Sequence, residues 1–327
     1  MEEEKKDFMK ICSFFCLSLV MLAGLLTIAA SGGGSISIKY TGPETQVKVT
    51  IANAEDIAVG AYSGGLHSMT LISGWGAVQA NESGVYDKMT LYTLSKILEQ
   101  AIEKADIGSQ MGSVSTGAVQ SIKKTIDGEC GGSAAMKLNA DDVSGVFDGT
   151  FSFDNYCESD IVMTGKIKIE GVINLDTEDM ESFEITFTKL TEETDDISIT
   201  FSGAIEMSVT SSSTTRVFMD LLLKDNTSDD VYWVNDYIMT VTETDSYVDL
   251  SLTGRYYDPL YGYADVATDV PFRVYNDDFN PSEGVLVATG SGDSRARLTV
   301  LSSMTYQIEA DEDGDGTYEY NSGALYW

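Results

Sequence analysis

Ala310 to Tyr320 reads ADEDGDGTYEY. Asp311, Asp313 and Asp315 alternate, and Gly316 follows. This is the D-x-D-x-D-G opening of a calcium loop, in which hard carboxylate oxygens converge while glycine permits the sharp turn. An EF-hand would place a bidentate glutamate at the twelfth loop position, which here is Ser322. The flanks, Met304–Glu309 and Tyr318–Tyr320, carry strand-type rather than helix-type residues. The expected site is therefore a Ca2+ loop at a hairpin tip, completed by Glu319. Its dissociation constant would be on the order of 0.1–1 mM. The competing reading is a solvated Asp-Gly turn. Ca2+ is the one cofactor the sequence suggests.

Other reactive residues are few. Cys12 and Cys16 sit in an apolar N-terminal run, which leaves Cys130 and Cys157, both beside turn residues. In an oxidising compartment they are expected to form one disulfide, worth about 3 kcal/mol by loop closure. Two thiolates with no nearby histidine cannot complete a tetrahedral metal shell. His67 is the single histidine of the chain. It lies in Gly64-Gly65-Leu66-His67-Ser68-Met69, among small and apolar residues, and reads as structural or exposed rather than as a base. The chain has no G-x-S-x-G elbow, no P-loop and no G-x-G-x-x-G after a strand. No catalytic residue is assigned, and the expected class is a non-enzyme.

Composition narrows the partners. The chain has 327 residues, 20 basic and 52 acidic side chains, a formal net charge of -32 and 43% hydrophobic residues. That hydrophobic share supports a sizeable core. Such a negative surface excludes nucleic acid, whose phosphates need clustered Lys and Arg. Ile11 to Ala30 carries no charge, follows Lys5, Lys6 and Lys10, and ends in Ala29-Ala30-Ser31. Residues 1–30 thus read as a signal peptide or an N-terminal anchor, with membrane contact through residues 11–30. The body is expected in the periplasm, the outer membrane or the extracellular space.

Two textures follow. Residues 31–140 form an N-terminal region with a short strand at Gln46–Ile51 and helices at about 53–62, 87–106 and 111–127. Asn53 could cap the first helix, and Gly64-Gly65 would end it. Leu91, Leu94, Leu98, Ala101 and Ala105 form the apolar stripe of the second. Val114, Ala118, Ile122 and Ile126, four apart, suggest the third. Residues 141–327 switch to period two. Ile161, Met163, Ile167, Ile169 and Ile173 share one face, and further alternating runs continue to Thr317–Trp327. Short polar turns between alternating strands mean antiparallel pairing with one covered and one wet face. The expected fold is mainly β (α+β). It is a long antiparallel meander, curved or barrel- or sandwich-like, with two or three N-terminal helices packed on it.

Tyr232-Trp233-Val234-Asn235-Asp236-Tyr237, Pro271-Phe272-Arg273-Val274-Tyr275, Gly284-Val285-Leu286-Val287, Ala296-Arg297-Leu298-Thr299 and Tyr306-Gln307-Ile308-Glu309-Ala310-Asp311 through Trp327 resemble segments of uncharacterised exported envelope proteins of Gram-negative bacteria. The likeness covers roughly residues 230–327 and implies an envelope or extracellular location without an activity. The leading functional expectation is an exported, non-enzymatic β-rich protein with a structural, adhesive or ligand-binding role. Its partners would be an envelope component, a glycan or a lipid. The alternatives are a carrier of a lipid or other apolar ligand on a curved sheet, and an outer-membrane β-barrel. Tyr256, Tyr257, Tyr261 and Tyr263 could line a sugar-binding groove, although tyrosine is also favoured in strands.

Overall fold

The computed structural model describes residues 38–73, 119–141, 143–158, 160–175, 180–195, 197–211, 213–276, 278 and 280–327. The signal or anchor segment and the helix expected at 87–106 lie outside the described residues. One α-helix, α1 (Ala54–Ser73), precedes the strands β1 (Val119–Asp127), β2 (Gly131–Asp141), β3 (Val146–Glu158), β4 (Ile161–Ile173) and β5 (Met180–Glu193). Next come β6 (Ser198–Ser211), β7 (Thr214–Asp225), β8 (Val231–Glu243), β9 (Tyr247–Asp258) and β10 (Gly262–Tyr275). The chain closes with β11 (Glu283–Thr289), β12 (Arg295–Ser302), β13 (Thr305–Asp311), β14 (Tyr320–Asn321) and β15 (Leu325–Tyr326). Each strand from β1 to β13 pairs antiparallel with the next, and β14 and β15 both pair with β13. The fold is the expected mainly-β antiparallel meander. Among the described residues no pairing joins β1 to the last strands, and no helix is long and apolar enough to cross a membrane.

The period-two pattern places Phe151, Met163, Ile167, Phe187, Phe201, Met219, Val234, Leu252, Leu286, Leu298 and Ile308 on one buried face, in a single core with Ile57 and Ala61 of α1. α1 lies against β8, β9, β11, β12 and β13. A segment from Ile38 to Asn53 leads into it around one end of the sheet. Tyr40 packs edge-on against Tyr257 on the outer face, with ring centroids 5.2 Å apart, while Ala54 and Ile57 are buried on the inner face.

Three expectations change. The helix expected over 111–127 is not found in its described half, where Val119–Asp127 is β1. Spacing of four also fits a strand, because i and i+4 share a strand face, and Ile126 is buried between exposed Thr125 and Asp127. The sheet therefore begins before residue 141. Second, α1 runs through Gly64-Gly65 rather than ending there. A Cβ on Gly64 would meet Val234 Cγ1 at 2.5 Å, and one on Gly65 would meet Leu252 Cδ1 at 2.6 Å. These glycines let the helix lie close to β8 and β9 instead of stopping it. Third, Gln46–Ile51 forms only a parallel bridge, Gln46 to Tyr263, and Thr317–Trp327 contains only the two-residue strands β14 and β15. The fold prediction of two or three helices thus reduces, among the described residues, to one.

Candidate metal centre

β13 delivers the acidic loop. Its last residue, Asp311, is fully buried, while Asp313, Asp315 and Glu319 are exposed. Asp311 Oδ1 accepts from Gly314 N at 2.7 Å, and its Oδ2 accepts from Gly316 N at 2.9 Å. Both glycines have positive φ, 79° and 91°, which an L side chain would resist. Asp313 Oδ1 accepts from Asp315 N at 3.1 Å, and Asp315 Oδ1 accepts from Thr317 N at 2.7 Å. The Thr317 N–H holds the Asp315 carboxyl below its ordinary range. Glu319 Oε2 accepts from Glu312 N at 3.1 Å, which folds the returning chain back over the loop.

One carboxylate oxygen from each of Asp311, Asp313, Asp315 and Glu319 lies within 4.8 Å of the others. Two Ca2+–oxygen bonds end to end span about 5 Å, so the spread suits ligands around one such ion. All four donors are hard oxygens, which suits Ca2+, Mg2+ or Mn2+ rather than a soft metal. The exposed rim leaves room for water to complete the shell. The sequence-predicted residues are brought together, and among the described residues they form the one group of three or more metal-type side chains.

Residues that the motif did not reveal hold the loop. Arg297 Nη2 contacts Glu309 Oε2 at 2.6 Å, Asn321 Nδ2 donates to Glu309 Oε1 at 3.2 Å, and the guanidinium lies 3.8 Å from the Tyr318 ring centre. On the other side Lys48 Nζ donates to Glu312 O, and Ile51 N donates to Glu312 Oε1 at 2.5 Å. Val49 N donates to Ser294 Oγ at 3.0 Å, and Ser291 N to Val47 O at 2.7 Å. Asn53, the expected cap, uses its side chain to hold this approach: its Oδ1 accepts from Thr50 N, and its Nδ2 donates to Lys48 O. Apart from the bonds of Asn53, these partners lie 12 or more residues apart, so no local pattern could have announced them.

Cys130 and Cys157 form a disulfide with Cα atoms 5.1 Å apart, joining the β1–β2 turn to the end of β3. Odd-numbered strands of an antiparallel meander end on the same side, so the disulfide and the acidic loop occupy one end of the sheet. His67 falls within α1. Known protein families, characterised proteins and solved structures give no match to this chain.

The core also holds a carboxyl that the sequence reading missed. Glu192 on β5 is fully buried, and neither side-chain oxygen has a hydrogen-bond partner. Phe183, Ile185 and Phe187 point inward at odd positions. The register then shifts between Phe187 and Leu190, and the inward parity becomes even. That bulge turns Glu192 into the core, opposite Met163 on β4 and Ile199 on β6. Burial alone raises its carboxyl to about 8.

Proposed function

We propose that this chain is an exported, non-enzymatic β-sheet scaffold of the cell envelope or extracellular space, with a corner loop that takes Ca2+. The observation that carries the reading is the convergence of four carboxylates, Asp311, Asp313, Asp315 and Glu319, within 4.8 Å. Export is supported by the apolar run at residues 11–30 and by the Cys130–Cys157 bridge, since disulfides persist in oxidising compartments. The likeness of residues 230–327 to exported envelope proteins points the same way. In this reading Ca2+ does no chemistry on a substrate. It neutralises the loop carboxylates and, through Glu312, firms the hold on Lys48 and Ile51 ahead of α1.

The test is thermal melting in 10 mM CaCl2 against EDTA, with calorimetric titration. A midpoint rise of a few degrees is expected, with binding on the order of 0.1–1 mM. Asp313→Asn with Asp315→Asn should abolish the rise and leave the EDTA midpoint nearly unchanged. Equal midpoints in Ca2+ and EDTA would remove the calcium assignment. Free Cys130 and Cys157 thiols in protein trapped directly from its native cells would remove the export assignment.

A further inference from the structure

On the outer face of β8, β9 and β10, Trp233, Tyr257 and Tyr263 are direct cross-strand neighbours. Trp233 and Tyr257 stack with centroids 4.5 Å apart, and Tyr257 and Tyr263 lie 5.3 Å apart. Tyr40 extends this surface, 6.2 Å from Trp233. Tyr257 is covered by its neighbours, while Tyr40, Trp233 and Tyr263 keep part of their surface in solvent. One step along the strands runs a second, polar row. Asn235 faces Arg255 across β8 and β9. Arg255 Nε contacts Asp265 Oδ1 at 2.9 Å, and its guanidinium carbon lies 4.1 Å from the Tyr263 ring centre. Gln46 Nε2 donates to Asp265 Oδ2 at 3.3 Å, and Trp233 Nε1 donates to Asp220 Oδ1 at 2.7 Å.

An aromatic row beside a row of amides, carboxylates and a guanidinium suits a ligand with an apolar face and hydrogen-bonding edges. A sugar ring has that form: its C–H face can lie on aromatic rings, and its hydroxyls both donate and accept. Three strands at about 4.8 Å spacing make the row roughly 10 Å wide, enough for more than one ring. A purely apolar ligand would strip water from Asn235, Arg255 and Asp265 without replacing its hydrogen bonds. A polyanion is opposed by the net charge of -32. We propose that the Trp233–Tyr257–Tyr263 row with its polar edge binds an uncharged oligosaccharide. This names a partner class for the scaffold reading above and rests on it for the absence of turnover.

The experiment is affinity electrophoresis of the folded protein through gels containing neutral polysaccharides, namely amylose, β-glucan, xylan, mannan and glycol chitin. Calorimetry follows with oligosaccharides of the retarding polymer. Retardation on at least one is expected, with about tenfold weaker binding for Trp233→Ala and for Tyr263→Ala. Asn235→Ala and Gln46→Ala should weaken it severalfold. They carry the test if ring removal unfolds the protein, which melting checks. Tyr247→Ala, removing another Arg-stacked tyrosine away from the row, should bind normally. The inference falls if no neutral polymer retards the protein or if the row variants bind like the parent. It also falls if only an octyl matrix, an acidic polysaccharide or a second copy of the chain is bound. Release of reducing ends by a retarded protein would leave the surface standing and overturn the non-enzymatic reading. Absence of retardation would leave that reading untouched.

Discussion

The strands β1–β7 and β8–β13 share one alternation and one pairing rule, yet they treat charge differently. No lysine follows Lys224, and no arginine precedes Arg216. In the later half, arginines are matched to acids across strands: Arg255 to Asp265, Arg273 to Asp249 and Glu283, and Arg297 to Glu309. Arg255, Arg273 and Arg297 each also lie over a tyrosine ring. In the earlier half, Asp148, Glu170, Glu184 and Glu206 are successive cross-strand partners on the outer face. Lys168 pairs with Glu170 at one place in that row. Like charges directly opposite are destabilising. The Glu184 carboxyl is accordingly raised, by partial burial first and by Glu170 and Glu206 after it. In the later half Arg273 spends its guanidinium fork on planar, two-point pairing with Asp249, which a lysine ammonium cannot provide. One meander thus holds a half whose arginines are paired across strands, tied to α1, and a half with a row of facing acids, stapled by Cys130–Cys157.

The largest expected effect lies in the earlier half, at Glu192. Its folded carboxyl is raised to about 8, whereas an unfolded glutamate titrates near 4.3. Between these values the folded state binds the extra proton, so stability is greatest at low pH and is lost as pH rises toward 8. The loss is on the order of a few kcal/mol. Glu192→Leu should flatten that slope in denaturant titrations at pH 5 and pH 8 and raise stability at both, because an orphaned buried polar group is removed. An unchanged slope would mean that Glu192 finds a partner in solution. Next in size, Cys130→Ser with Cys157→Ser should cost about 3 kcal/mol, read as a lower urea midpoint.

A smaller effect is expected in the later half. Arg297→Gln leaves Glu309, which is 9% exposed, without its charged partner and should cost about 1–2 kcal/mol. It should also weaken the Ca2+-dependent shift, since Glu309 helps hold the loop. The smallest effect is Glu184→Gln, which relieves the acidic row by about 0.5 kcal/mol, more at low salt than at high salt. If Glu184→Gln destabilises instead, its contact with Thr186, 3.2 Å away, outweighs the repulsion, and the contrast between the halves weakens.

Strand identity was legible wherever alternation was clean, as in Ile161–Ile173 or Thr305–Ala310, because burial on one face writes itself into every second residue. It failed where the register breaks. Glu192 cannot be placed without the bulge after Phe187. Pro271 lies inside β10 at irregularities in the pairing on both sides, where a missing N–H is tolerated. Spacing of four in Ile122 and Ile126 served a strand as well as a helix. The carboxylates of the candidate site were legible because a loop ligand set is local. Arg297, Lys48 and Glu312 were not, since only the folded sheet brings them together.

The approach to α1 also sets a time order. Tyr40 OH donates to Asp258 O across 218 residues, and Lys48 reaches Glu312 across 264. Each hairpin of the meander can close on its neighbour as soon as both strands exist, while these early residues must wait for partners made near the end of the chain. Until β8–β13 form, the apolar side of α1 has no sheet to cover it. The first described residues to be synthesised are thus among the last to dock, and during that interval the chain is most exposed to aggregation and most in need of a chaperone.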